Sequence, residues 1–97
     1  SVVFTSSGVG RKGRAYWGAY AVSKFGIEGL SQTLADESEG MRVNCINPGG
    51  TRTAMRKSAY PGEDPTTLKT AADIMGPYLY LMGPDSMGVT GESFDCQ

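Results

Sequence analysis

The amino-acid sequence predicts an α/β fold: the C-terminal part of a doubly wound parallel sheet, with about three strands and a long helix between the first two. Three observations predict it. A short apolar run of β-formers, Val2-Val3-Phe4-Thr5, suits a strand covered on both faces. About 25 proline-free residues of helical spacing follow, and then a second β-rich run, Met41 to Asn47. That order is the βαβ unit, in which the crossover helix returns the chain so that the two strands lie parallel. Turn residues close both runs, at Ser6-Ser7-Gly8 and at Pro48-Gly49-Gly50.

The elements follow in order. Gly8 to Arg14 is a glycine-rich, basic loop. From Ala15 to Glu39 a helix is expected, with Ser23, Ile27, Leu30 and Leu34 recurring on one face. Gly26 and Gly29 each cost about 1 kcal/mol of helix propensity relative to Ala, which points to a close approach by another backbone. Gly40 is placed as the residue that ends the helix. Thr51 to Thr67, with Pro61, Gly62 and Pro65, reads as a long loop with one short helix. Leu68 to Met82 is helical with a break at Gly76-Pro77, and Thr90-Gly91 leads into a last strand at Glu92 to Cys96. No internal repeat or low-complexity tract is present.

Length and charge narrow the function. Ninety-seven residues make at most one domain. The chain starts in an apolar run and stops without a polar tail, and three strands with two helices cannot cover a parallel sheet. The expectation is a single partial domain over 1–97, the rest of the sheet lying before Ser1. Nine basic and ten acidic residues leave a net charge of −1, which argues against nucleic acid and anionic membranes as partners. No apolar run approaches the ~20 residues that span a bilayer, and no signal-peptide pattern opens the chain. Two cysteines, Cys45 and Cys96, with no histidine give neither a disulfide framework nor a zinc site. The expectation is a cytoplasmic protein without a metal.

Gly8-Val9-Gly10-Arg11-Lys12-Gly13 matches G-x-G-x-x-G after a strand and before a helix, the context of a pyrophosphate-binding turn. That fingerprint also wants an acidic residue at the end of the next strand, where Asn47-Pro48-Gly49 stands instead. The better reading is a turn that aims the preceding serines.

Tyr20 and Lys24 stand four residues apart on the long helix, so both side chains reach one point. A phenol titrates near 10, and bringing it to neutral pH takes roughly 4 kcal/mol. One ammonium about 4 Å away at an effective dielectric near 20 supplies a similar amount. Such a phenol can give a proton to a carbonyl oxygen, or take one from an alcohol, as hydride moves. Ser7 stands at the end of the strand feeding this helix, and Asn44 and the Pro48-Gly49 turn are expected at the end of the next parallel strand, at the same edge. Ligands of open α/β sheets bind at that edge. A helical surface pair of little consequence is the bland alternative.

Ser7, Gly10, Tyr20, Lys24, Asn44, Pro48-Gly49 and Thr53 together resemble the short-chain dehydrogenase/reductase pattern: Ser, then Y-x-x-x-K, then N-x-x-x-P-G-x-x-x-T. The chain is similar to roughly the C-terminal two-fifths of such an enzyme, a Rossmann-type fold. Within the family it resembles the bacterial YciK-type oxidoreductases through Asn47 to Arg56, Asp73-Ile74-Met75, Leu81-Met82-Gly83 and Ser93-Phe94-Asp95. The resemblance implies NAD or NADP as cofactor and a small-molecule carbonyl or alcohol as substrate. It implies Tyr20 as general acid/base, Lys24 as its assistant and a ligand of the nicotinamide ribose, and Ser7 as the grip on the substrate oxygen. Pro48 and Gly49 would shape the backbone against the nicotinamide, with the Thr51 main chain and the Thr53 side chain near its carboxamide. Strand alternation sends the neighbouring Ser6 to the other face. The family's phosphate-binding loop is absent from 1–97, so the chain alone is expected to be inactive.

Gly26, Gly29 and the apolar helix face fit the family's homodimer or homotetramer contacts, and an intrachain contact fits them equally. Tyr16 and Trp17 read as packing at the helix start rather than as pocket walls. Met55 and Tyr60 fall where the family places a substrate lid. Arg52, Arg56 and Lys57 are candidates for an acidic substrate tail or plain solvated cations. Tyr78 and Tyr80 read as packing, and both cysteines as reduced strand residues. Two other functions stay open: a phosphate-binding module built on Gly8 to Gly13, and a non-catalytic relic of the fold.

Overall fold

The computed structural model describes residues 1–97. Three parallel strands, β1 (Val2–Thr5), β2 (Val43–Asn47) and β3 (Ser93–Asp95), form one sheet in the order β1-β2-β3. Val2 pairs with Val43 and Thr5 with Ile46, while Cys45 pairs with Ser93 and Asn47 with Asp95. Helix α1 (Gly18–Glu37) crosses between β1 and β2 as the βαβ pattern predicts. Two shorter helices, α2 (Ala54–Ala59) and α3 (Met75–Met82), occupy the stretch between β2 and β3.

The core is β2 and what touches it. Val43, Cys45 and Ile46 are wholly buried, and Leu81 of α3 is buried with them. Cys45 faces α1, its Sγ 3.8 Å from the Ile27 carbonyl, and burial pushes its thiol pKa up. Both cysteines are free thiols. Only twelve residues are buried, so much apolar surface stays in water, including Val22, Phe25 and Leu30 of α1.

Four local expectations change. The face of α1 turned inward holds Glu28 and Ser31 as its buried residues, whereas Ser23 and Leu30 are exposed. Apolar spacing alone does not reveal this face, because a carboxylate and a hydroxyl occupy its centre. Gly26 and Gly29 have nothing within 4 Å of an added Cβ, so no backbone of this chain approaches them. The helix ends at the extended Ser38, whose N–H donates to the Leu34 carbonyl, and Gly40 has no left-handed φ. Pro77 lies in the first turn of α3, where its missing N–H would have no helical partner, so it starts the helix instead of breaking it.

A polar cluster around the buried Glu28 and Ser6 joins the strands to α1. Glu28 Oε1 accepts from Ser6 Oγ at 2.6 Å, Ser93 Oγ at 3.0 Å and Arg11 Nε at 3.3 Å. Arg11 also donates through Nη1 to Asp95 Oδ1 at 2.7 Å and through Nη2 to Ser93 Oγ at 2.7 Å. The ends of β1 and β3 are thereby tied to the middle of α1. Burial raises the Glu28 pKa, but the hydrogen bonds from Ser6 and Ser93 and the Arg11 charge together hold it below the usual range. Hydrogen bonding from Arg11 lowers the Asp95 pKa in the same way, against a smaller opposing effect of burial.

Gly10 completes this region by close approach. A Cβ there would lie 2.8 Å from Ser6 Oγ and 2.9 Å from the Lys24 carbonyl, whereas one on Gly13 meets nothing within 4 Å. Gly10→Ala should therefore cost about 1–3 kcal/mol by overpacking, and Gly13→Ala should stay within about 0.5 kcal/mol of wild type. Denaturant midpoints of the two variants check this; equal midpoints would contradict the packing. Glu28 gives a second prediction. Its lowered folded pKa means its contribution is complete above the unfolded value, about 4.3, and is lost as pH falls through the folded value. The stability gap between wild type and Glu28→Gln, read from unfolding curves, should be largest at pH 6–7 and shrink steadily below about pH 4.5.

Candidate active site

The carboxyl ends of β1 and β2 open into one cleft of about 1170 Å³. Its walls bring together Ser7, Tyr20, Lys24, Pro48, Gly49, Thr51 and Thr53, the residues that the family resemblance implies for catalysis and cofactor binding. These come from the β1–α1 loop, the first two turns of α1 and the β2–α2 loop.

Each is placed by a local cause. The backbone alternates as it leaves β1, so Ser6 turns inward to Glu28 while Ser7 lies half-buried on the cleft. Ser7 Oγ accepts from the Val9 N–H at 3.3 Å, capping a 3-10 turn at Gly8–Gly10. Its own hydroxyl proton remains free to donate. One helical turn joins Tyr20 to Lys24, and Lys24 Nζ lies 5.5 Å from the Tyr20 ring centroid. The same Nζ donates to the Thr5 carbonyl at 3.1 Å, which pins the ammonium to the last residue of β1. Two of its N–H bonds stay available.

The β2–α2 turn supplies another part of the wall. Asn47 Oδ1 accepts from the Gly49 N–H at 3.1 Å, and Gly49 adopts φ +75°, which a side chain there would strain. Gln97 Nε2 donates to the carbonyls of Pro48 and Gly50, and a Cβ on Gly49 would fall 2.8 Å from it. Thr51 Oγ1 donates to the Gly49 carbonyl at 3.1 Å. Thr53 caps α2 by accepting from the Arg56 N–H.

The glycine turn is not an anion cradle. The N–H groups of Val9, Gly10, Arg11 and Lys12 are all taken up by Ser7 and Gly8, and the Arg11 side chain by Glu28, Asp95 and Ser93. A phosphate there would find none of these four backbone N–H groups free. Asn44 also departs from expectation. It is wholly buried and bonds the Val89 carbonyl and the Glu92 N–H, holding the loop before β3 rather than facing the cleft.

Trp17 is a cleft wall, contrary to its reading as helix-start packing, whereas Tyr16 is fully exposed at φ +70°. The Trp17 ring meets Tyr20 edge-on at 5.4 Å and Tyr60 at 6.4 Å. Met55, Tyr60 and Tyr78 line the cleft as well, while Tyr80 packs edge-on against Phe94. Arg52 donates to the carbonyls of Pro65 and Leu68, and Arg56 forms a two-pronged pair with Glu63. Neither is a free cation. The sequence signal for Trp17 was its place one turn before Tyr20 on the same helix face.

Comparison with known proteins gives a consistent result. Residues 1–64 match the family model for short chain dehydrogenases. The chain is similar to the uncharacterized oxidoreductase YciK of Escherichia coli K12, with 68% identity over 98 residues that cover 100% of this chain and 39% of that protein. A short chain dehydrogenase of E. coli CFT073 solved with NADPH superimposes at TM-score 0.96 and 68% identity, covering 100% of this chain and 41% of that one. One from Shigella flexneri solved with NADP gives 0.94 and 69%, covering 98% and 40%. The chain thus spans about two-fifths of the length of these relatives. The parallel sheet is the Rossmann-type fold that the sequence predicted, and the chain belongs to the short-chain dehydrogenase/reductase family, on the YciK side of it.

Proposed function

We propose that this chain is the C-terminal part of an NAD(P)-dependent oxidoreductase that interconverts a carbonyl compound and an alcohol, and that it carries the reacting acid/base. The observation that supports this most is that Tyr20, Lys24 and Ser7 line one cleft, with Lys24 5.5 Å from the Tyr20 ring centroid and anchored to the Thr5 carbonyl. The relatives solved with NADP and NADPH make a nicotinamide the cofactor to expect.

The residues present fit such a cofactor. Gly49 offers bare backbone at φ +75°, and Lys24 keeps two N–H bonds for ribose hydroxyls. Pro48 and Gly49 shape the wall for the nicotinamide, with the Thr51 main chain and the Thr53 side chain beside its carboxamide. The nicotinamide, when bound, supplies or accepts the hydride. The chain handles the proton. Ser7 donates a hydrogen bond from its free hydroxyl to the substrate oxygen and holds that oxygen beside Tyr20. In reduction, Tyr20 gives its phenolic proton to this oxygen as the carbon gains hydride. In oxidation it takes the proton back. Negative charge growing on the phenol oxygen is stabilised by the Lys24 ammonium, whose position is preset and needs no reorganisation.

The phosphate-binding loop belongs to residues before Ser1 in this reading, and 1–97 is one partial domain. The complete enzyme works in the cytoplasm on a small molecule. It assembles as a homodimer or homotetramer, for which the exposed Val22, Phe25 and Leu30 beside Gly26 and Gly29 supply a close-packing face. No helix of the chain is long and apolar enough to cross a membrane.

In the complete protein, Tyr20→Phe should lower kcat by about 100-fold or more, with cofactor affinity within about twofold of wild type. Steady-state kinetics and cofactor titration measure the two, and a normal kcat would remove Tyr20 from the role. Residues 1–97 alone should turn over no carbonyl substrate with NADH or NADPH, because in this reading the loop that binds the pyrophosphate lies before Ser1. Measurable turnover by the isolated chain would overturn that division of labour.

A further inference from the structure

The part of the cleft beside Tyr20 that this chain supplies carries one sign of charge. The sequence has nine basic and ten acidic residues, yet Lys12, Arg14, Lys24 and Arg56 line the cleft with no Asp or Glu among them. Two of these cations are engaged. Lys24 donates to the Thr5 carbonyl, and Arg56 is paired with Glu63 at 2.8 and 2.9 Å and stacked 3.9 Å over Tyr60. The ion pairs of the chain involve Arg11 and Arg56, leaving Lys12 and Arg14 unpaired. Both sit on the loop between Ser7 and Trp17, and the Arg14 carbonyl accepts from the Trp17 N–H at 3.2 Å, fixing the loop to the start of α1. Trp17 itself stands between Tyr20 and Tyr60.

A lone cation on an open surface is solvated and binds little. Neighbouring cations gathered at the mouth of a concavity act together and draw anions in. The apolar wall of Trp17 and Tyr60 then suits a flat carbon skeleton. From these observations we propose that the substrate is an anionic carbonyl compound. Its carboxylate or phosphate is held by Lys12 and Arg14, and its flat apolar body lies against Trp17 and Tyr60, so that the carbonyl reaches Tyr20. This rests on the carbonyl-reducing function above and adds the class of substrate. Lys12 and Arg14 are the specificity-determining residues.

The test compares 4-carboxybenzaldehyde with its neutral methyl ester by titration calorimetry on the complete protein with saturating NADP. Wild type should bind the carboxylate about tenfold more tightly, since hydrogen bonds to a charged group are worth at least one decade. The preference should weaken as salt rises. In the Lys12→Gln/Arg14→Gln variant the ratio should fall to about one, with NADPH affinity within about twofold of wild type. Both side chains are exposed and unpartnered, so the variant retains its packing. Equal binding of the two probes by wild type would overturn the proposal. So would a variant that weakens NADPH and spares the carboxylate preference, which would assign the cations to a cofactor phosphate. Tight, charge-selective binding with no NADPH-dependent reduction of any aldehyde would keep the anion site and remove the hydride reaction instead.

Discussion

One buried carboxylate oxygen sets the frame on which the cleft is built. Glu28 Oε1 gathers donors from the end of β1, from the turn after it and from β3. A carboxylate taken out of water without partners costs several kcal/mol, so its three donors are held where it needs them. Ser6 is one of those donors, which decides how the chain leaves β1. With Ser6 committed inward, the next residue, Ser7, is presented to the cleft. Arg11 is another donor, and its reach to Asp95 keeps the glycine turn against β3. The region that looks most like a ligand loop in the sequence is therefore a structural clamp whose product is the orientation of a serine.

The same economy places the lysine. An i, i+4 pair on a helix gives Tyr20 and Lys24 a common face but leaves the long ammonium side chain free to wander. The Thr5 carbonyl removes that freedom at 3.1 Å. Gly10 allows it, because only a residue without Cβ lets the turn lie this close to the Lys24 backbone. Strand end, glycine turn and helix are thus coupled through a few atoms, and the phenol stands on a preorganised base. Elsewhere in the cleft, the positive φ of Gly49 and the bonds from Asn47 and Gln97 make that part of the wall equally fixed.

Charge is distributed unevenly over this frame. Arg11 and Arg56 are spent on Glu28, Asp95 and Glu63, and Arg52 on backbone carbonyls. The cations left over on the β1–α1 loop face the cleft, and the acids do not. A near-neutral chain can in this way carry a local field suited to an anion, which net charge conceals.

The sequence by itself determined the βαβ order, the parallel sheet and that Ser7, Tyr20, Lys24 and the Pro48-Gly49 turn gather at the strand ends. These follow from local signals: β-formers bounded by turn residues, a proline-free helical stretch, and chemistry at strand ends and at i, i+4. It could not determine which face of α1 is buried, because Glu28 and Ser31 enter the interior only when Ser6, Ser93 and Arg11 arrive from distant parts of the chain. Nor could it separate Arg11, a clamp, from Lys12, an open cation, though the two are neighbours. It misjudged Asn44 and Trp17 for the same reason: each takes its meaning from a partner far along the chain, Val89 and Glu92 for one and Tyr60 for the other. Periodicity and spacing record what a residue is next to in the chain. Only tertiary structure decides which buried polar groups find partners, and that choice sorts the structural residues of this cleft from those left to meet a ligand.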